Sequence, residues 1–273
     1  MYEDTAIELA AFPAGGRVFC IASAGCTAMA LAPRHDEVVA VDINPVQLAY
    51  AARRIAGAGP DQGAAERVLA FGRSLAPVVG WTRSRLGEFL DLEDPFEQSI
   101  YWRTHLDTLR FRAGFDGLLS LTALRTVYAA ALLDFLPKRL GPALRARMTG
   151  CFSRHANRRN PYARALLLGE QVTVPPPPEA GRIRLVQADA AAFLESEPPG
   201  SFAGFSLSNI LDGAAVGYRR RLVNAVRRAA APDAVAVIRS FRDATHSMPS
   251  NHAADDRAML WGIVDVRSAV ELT

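Results

Sequence analysis

Apolar residues along this chain fall into two patterns that alternate. Five compact runs rich in β-branched and small residues have the length of buried strands: Val18 to Ala22, Val38 to Val41, Ile183 to Gln187, Phe202 to Leu207 and Ala234 to Arg239. Segments between them carry apolar residues at helical spacing. Residues 5–12 predict a short helix before Pro13, followed by a turn at Gly15-Gly16. The first run ends in Ser23-Ala24-Gly25-Cys26-Thr27, small residues leading into a helix that closes near Pro33. The second run closes on Asp42, and Asn44-Pro45 opens a helix to about Gly57. Proline suits that first helical position because its missing N–H has no partner there anyway. Strand, turn, helix, strand, acid, helix is a βαβα unit, which builds a parallel sheet.

The alternation then stops. From 60 to 173 the pattern is helical, most clearly at Leu121 to Leu136, and no segment alternates as a strand would. The run VPPPPEAG at 174–181 predicts a stiff extended connector. The α/β rhythm resumes behind it. One strand ends at Asp189 with a helix over Ala190 to Glu195, and the next ends at Ser208-Asn209. A basic amphipathic helix follows over Tyr218 to Ala231, then the fifth strand. The alternating tail, Met259 to Leu272, predicts one or two antiparallel closing strands. The expected fold is α/β: a Rossmann-like sheet formed by residues 1–59 and 174–273, split by a large helical insertion at 60–173. A structureless loop of that length is implausible in a compact domain, so the insertion is expected to be folded.

Composition narrows the function. With 273 residues, half of them apolar, the chain can bury a sizeable core. A net charge of +3 does not call for a nucleic-acid partner. The three cysteines, Cys20, Cys26 and Cys151, show no CxxC spacing, which argues against a disulfide framework or a structural zinc. The histidines at 35, 105, 155, 246 and 252 lack ligand spacing, so no metal is expected. MYEDTAIELAAF carries acids where a signal peptide carries bases, and no apolar run approaches the roughly 18 residues of a membrane span. Reduced thiols and these absences predict a cytoplasmic enzyme.

Ligands of doubly wound sheets bind beyond the C-terminal strand ends. Four such ends carry suitable groups. Ala22-Ser23-Ala24-Gly25 lets a ligand approach the backbone and the helix N-terminus behind it. Its single glycine fails the GxGxxG pattern of dinucleotide sites. Asp42, with Ile43 beside it, accepts both ribose hydroxyls or caps the following helix. Asp189 and Ala190 meet an adenine amino group, or Asp189 caps its helix. Asn209 and Ile210 lie near the reacting centre, or Asn209 is a turn residue. Their order at successive strand ends suits an adenosyl ligand with an amino-acid tail and no pyrophosphate, which is S-adenosylmethionine.

IASAGCTAMAL at 21–31 with VDINPVQLAY at 41–50 resembles the betaine-lipid synthase A family, S-adenosylmethionine:diacylglycerol 3-amino-3-carboxypropyltransferases. The likeness extends to YED at 2–4, NPYARALLLG at 160–169, LSNILDG at 207–213 and DDRAMLWG at 255–262. The VDxNPxQ element, which includes Asn44 and Gln47, is its most specific part. Tyr2 stands where the family has Trp, and about 75–135 is unmatched. The resemblance implies a class I methyltransferase-type sheet and S-adenosylmethionine as co-substrate. It also implies a hydroxyl-bearing lipid or small molecule as acceptor, and so a place in betaine-lipid biosynthesis. The acceptor would attack the γ-carbon of the methionine chain, with methylthioadenosine leaving. Such transfer needs the tail gripped, the γ-carbon aimed and the acceptor proton removed. Asp212 is the candidate base or a cap. Asp256 and Arg257 are candidates for the ammonium and carboxylate of the tail, or a structural ion pair. Arg239, ending the fifth strand, is a second carboxylate candidate. Glu3 and Asp4 would fold over the site if the N-terminal segment packs there. Tyr162 lines the acceptor cleft or anchors its helix.

Residues 138–164 hold eight basic side chains (Lys138, Arg139, Arg145, Arg147, Arg154, Arg158, Arg159 and Arg164) and no acid. Leu140, Leu144, Met148 and Phe152 recur at spacing four within them. The segment therefore has no local partners for its charges and is expected to touch an anionic membrane surface peripherally. Sparse aromatics argue against RNA there.

Overall fold

The computed structural model describes residues 2–60, 63–120, 136–172, 181–244 and 248–273. The helix expected over Leu121 to Leu136 and the connector at 174–181 lie outside them, apart from Leu136 and Gly181.

A short helix α1 (Ala6–Ala11) precedes β1 (Arg17–Ile21). Then come α2 (Cys26–Leu31), β2 (Glu37–Asp42) and α3 (Pro45–Ile55). Asn44 caps α3 by accepting from the N–H of Val46, with Pro45 at the first position. The helical stretch supplies α4 (Ala64–Leu75), α5 (Arg83–Leu90), α6 (Pro95–Tyr101), α7 (Leu109–Leu118), α8 (Leu140–Phe152) and α9 (Pro161–Leu168). A π-helical turn, Trp102–Leu106, extends α6. The second half of the sheet follows: β3 (Ile183–Gln187), α10 (Ala190–Ser196), β4 (Phe202–Ser208), α11 (Val216–Ala229), β5 (Ala230–Ser240) and β6 (Ile263–Ser268).

The strands form one six-stranded sheet in the order β3-β2-β1-β4-β5-β6. Every pairing is parallel except β5 with β6. That order, with helices between the parallel strands and an antiparallel last strand, is the Rossmann-like fold of class I methyltransferase type. Central strands read as unbroken apolar runs because both faces are covered: Val18, Phe19 and Cys20 have no exposure. On one face α10 and α11 pack over Phe19, Phe202 and Phe205. On the other, α1 and α2 bury Val18, Cys20 and Val38. Gly204 admits the Phe12 ring, since a Cβ there would stand 2.7 Å from it.

Two boundaries differ from the pattern. Strand β5 begins at Ala230, not Ala234, because Ala230 pairs with Phe202 and a register shift then absorbs residues 231–233. The alternating tail forms one strand, Ile263–Ser268, and ends in a 3-10 turn.

The helices between α3 and β3 pack around their own aromatic core of Trp81, Phe89, Trp102, Phe111 and Phe152. Here folding supplies partners that the sequence of 138–164 itself lacks. Leu140, Met148 and Phe152 are buried, so the apolar stripe of α8 faces inward. Four of the charges have acidic partners, all but Glu170 brought by folding from far along the chain. Arg145 meets Asp116 at 2.8 Å, Arg147 meets Asp243 at 2.6 Å, Arg158 meets Glu93 at 3.3 Å, and Arg164 pairs with Asp91 and Glu170. Absence of acids within the segment did not mean absence of partners.

Candidate cofactor cleft at the strand ends

Chain direction changes sides at β1: β2 lies on one side of it and β4 on the other. Ligands of open α/β sheets bind at such a switch point, beyond the C-terminal strand ends. A serine in left-handed backbone stands at the end of β4, Ser208 at φ 51°, and another two residues beyond β1, Ser23 at φ 47°. Strain of this kind costs of order 1–3 kcal/mol and persists only where neighbours over-determine it. One such neighbour is Gln47 of α3, whose amide donates to the Ser23 carbonyl at 2.6 Å. Gln47, expected to touch the cofactor, thus holds the Ala22–Gly25 loop. Gly25 is also left-handed, at φ 79°. A Cβ there would make only ordinary contact with Ala51, at 3.5 Å or more, so it is the left-handed backbone that calls for glycine.

The next strand end holds Asp42, half-buried, its Oδ1 accepting from the N–H of Asn44 at 2.9 Å. The following side chain, Ile43, is 68% exposed. A β-branched side chain turned outward beside a carboxylate offers a flat apolar face next to a hydroxyl acceptor. At β3's end, Asp189 caps α10 through Ala192 N–H at 2.9 Å and meets Arg221 at 3.4 Å. Ala190 is buried against the α10 core. That carboxylate is therefore engaged in helix capping. Asn209 and Ile210 are half-buried at the end of β4.

An N-terminal strap crosses the switch point. Glu3 accepts from Thr27 Oγ1 at 3.3 Å and from the Ser208 hydroxyl, joining the first turn of α2 to the end of β4. The strap is pinned along its length. Trp261 Nε1 donates to the Tyr2 carbonyl and Tyr162 Oη to the Glu3 carbonyl, both at 2.9 Å. Burial, then the Asp4 charge, raises the Tyr162 phenol above its ordinary value, so it acts as a donor. Glu3 is absent from the strand-end pattern, because only the fold brings residue 3 beside residues 27 and 208. The acid pair at 3–4 was its one trace in the sequence.

Three expected tail-binding residues serve the strap instead. Arg257 grips Asp4 with two contacts, 2.5 and 2.7 Å. Burial pushes the Asp4 carboxyl up, but the Arg257 hydrogen bonds and charge outweigh it and hold it below its usual range. Arg239 does not reach the cleft. It is fully buried, holds Glu8 at 2.5 and 3.0 Å, donates to the Asp4 carbonyl at 3.1 Å and meets Asp256 at 3.4 Å. A guanidinium so placed cannot receive a ligand carboxylate, which corrects the assignment made from its position at a strand end. Burial raises Asp256 to about 6 even against the opposing Arg239 charge. Its Oδ1 accepts from the N–H of Ala258 at 2.8 Å. Asp212 accepts from the Ser240 hydroxyl at 2.6 Å and from the Phe241 N–H at 3.0 Å, tying the loop after β4 to the end of β5.

Among the described residues no group of three His, Cys, Asp or Glu could hold a metal ion, and no helix is long and apolar enough to cross a membrane. No family model matches the chain, and neither does any curated protein. A solved structure similar to it is the rRNA methyltransferase aviRa from Streptomyces viridochromogenes. The two are 13% identical with a TM-score of 0.32, over 89% of this chain and 73% of that one. A likeness at that level adds nothing to what the strand order itself defines.

Proposed function

We propose that the protein is an S-adenosylmethionine-dependent transferase that moves the 3-amino-3-carboxypropyl group to a hydroxyl-bearing acceptor. The observation that carries this reading is Glu3, an acid held at the β1/β4 switch point by Thr27 and Ser208. A carboxylate there complements the ammonium of an amino-acid tail. The tail is the group being moved, so a firm grip on it is what this transfer requires. Asp42 supplies the acceptor for ribose and exposed Ile43 the apolar face for adenine. The small-residue loop Ala22–Gly25 leaves room between them, and the VDINPVQ element at 41–47 supports the same reading.

S-adenosylmethionine supplies an electrophilic γ-carbon with a sulfonium leaving group. The acceptor oxygen bonds to that carbon, the carbon–sulfur bond breaks, and methylthioadenosine leaves with the electron pair. The acceptor's proton passes to a carboxylate of the cleft, for which Asp212 is the candidate.

Isotopic labelling tests the reading. With co-substrate labelled in the carboxypropyl carbons, label is expected in the product and methylthioadenosine in the filtrate. Methyl label in the product with S-adenosylhomocysteine released would make the protein a methyltransferase on the same fold. Binding without either product across lipid and small-molecule acceptors would make it a nucleotide-binding module.

A further inference from the structure

A second site lies in the helical layer. A cavity of about 330 Å³ opens between α4, α7, α8 and α9. Its wall includes Val79, Phe111, Phe115, Met148, Leu167 and Met259. Arg73 is the charged residue among those lining it. Its guanidinium is turned to the Ala165 and Leu166 carbonyls at the end of α9, at 3.5 and 3.3 Å. Those carbonyls are neutral, so Arg73 keeps its positive charge at the cavity wall. Two glycines, Gly72 in α4 and Gly114 in α7, also line it. Glycine weakens a helix interior; Gly114 lets Val79 pack close, since a Cβ there would stand 3.3 Å from its Cγ1, whereas Gly72 leaves space open. A Cβ at Gly72 would meet only Leu118, at 3.7 Å. Leu75 and Val78 line the cavity and are 41% and 75% exposed, which places its mouth at the end of α4.

The inner wall belongs to the segment that holds the strap. Met259 and Leu260 line the cavity, while Arg257 grips Asp4 and Trp261 donates to Tyr2. Met259 stands at φ 64°, a left-handed conformation that a long side chain rarely adopts. Helix α9 is shared as well: Tyr162 holds the strap and Leu166 and Leu167 line the cavity.

We infer that this cavity binds one unbranched alkyl chain. At about 30 Å³ per unit, the share of one liquid water and close to that of a methylene, the 330 Å³ takes about eleven carbons. A wall that is apolar apart from Arg73 favours a hydrocarbon chain over a heterocycle. That the chain belongs to the acceptor rests on the transfer reading above. The cavity's own ligand chemistry does not.

Binding of straight-chain 1-alkanols from four to sixteen carbons, measured by displacement of a fluorescent alkyl probe without S-adenosylmethionine, tests the site. Affinity should rise roughly fourfold per methylene and level off near eleven carbons. Gly72→Leu should shorten the chain length at which affinity levels off, with the fold checked by circular dichroism. Affinity independent of chain length, no binding of any alkanol, or an unchanged plateau in folded Gly72→Leu would overturn the proposal. Alkanol binding in this assay, with no methylthioadenosine formed when S-adenosylmethionine is then added, would leave the site standing and overturn only the transfer reading.

Discussion

Replacing Arg239 by Met tests what holds the strap. Arg239 and Glu8 are both fully buried, and the guanidinium meets both carboxylate oxygens, at 2.5 and 3.0 Å. Removing the cation leaves Glu8 charged in the core with the Ser206 hydroxyl, at 2.7 Å, as its remaining partner there. Breaking a buried pair from one side costs about 3–5 kcal/mol, because the orphaned charge keeps its desolvation penalty. That is a large share of the roughly 5–15 kcal/mol that holds a domain folded. For a chain of this size, it corresponds to a Tm fall of about 6–20 °C. Glu8→Leu should cost a similar amount. The double variant should cost less than the two singles summed, by roughly 3 kcal/mol or more, since neither charge then remains. Urea denaturation followed by circular dichroism measures all three. Cofactor affinity should fall in the single variants at temperatures where they remain folded, because Glu8 anchors α1 and α1 carries the strap. A cost below about 1 kcal/mol for Arg239→Met, or strict additivity in the double variant, would refute this account of the cluster.

Other expectations follow from the cleft. Asp42→Ala should lower S-adenosylmethionine affinity about tenfold or more by removing charge-assisted hydrogen bonds worth roughly 1.5–3 kcal/mol each. Asp42→Asn keeps an acceptor for the Asn44 N–H, so calorimetry on both separates charge from turn geometry, and unchanged affinity in both would remove Asp42 from the site. Asp256 is raised to about 6 in the folded protein. Between its ordinary value and that one the folded state holds the proton that the unfolded chain has lost, so this group's contribution to stability falls as pH rises. Asp256→Asn should therefore gain stability relative to the wild type from pH 4 to 6, with a slope of at most about 1.4 kcal/mol per unit. Parallel Tm profiles for the two proteins would contradict it. Asp4 runs the other way. Its lowered value stabilises above the ordinary carboxylate range and is lost as pH falls through the folded value, so Asp4→Asn should flatten the acid limb of the urea profile.

The sequence by itself determined the sheet and its order of elements. Residues 17–21, 37–42 and 202–208 read as strands because both faces are buried, and a local run of apolar residues records that directly. Helix starts at Asn44-Pro45 and Asn160-Pro161 were legible for the same local reason, since capping uses neighbours in the chain. What each side chain at the rim touches was not legible. Arg239 looked like a rim cation because it ends a strand, but Glu8, more than 200 residues away, draws it into the core. The basic run at 138–164 looked unpartnered because Asp116, Asp243, Glu93 and Asp91 approach only in the folded chain. Glu3 becomes a group of the cleft only where α2, β4 and α9 converge. Strand formation depends on periodicity, which the sequence carries residue by residue. Ion pairing and ligand geometry depend on which distant segments share a few ångströms of space, and that is decided by tertiary packing.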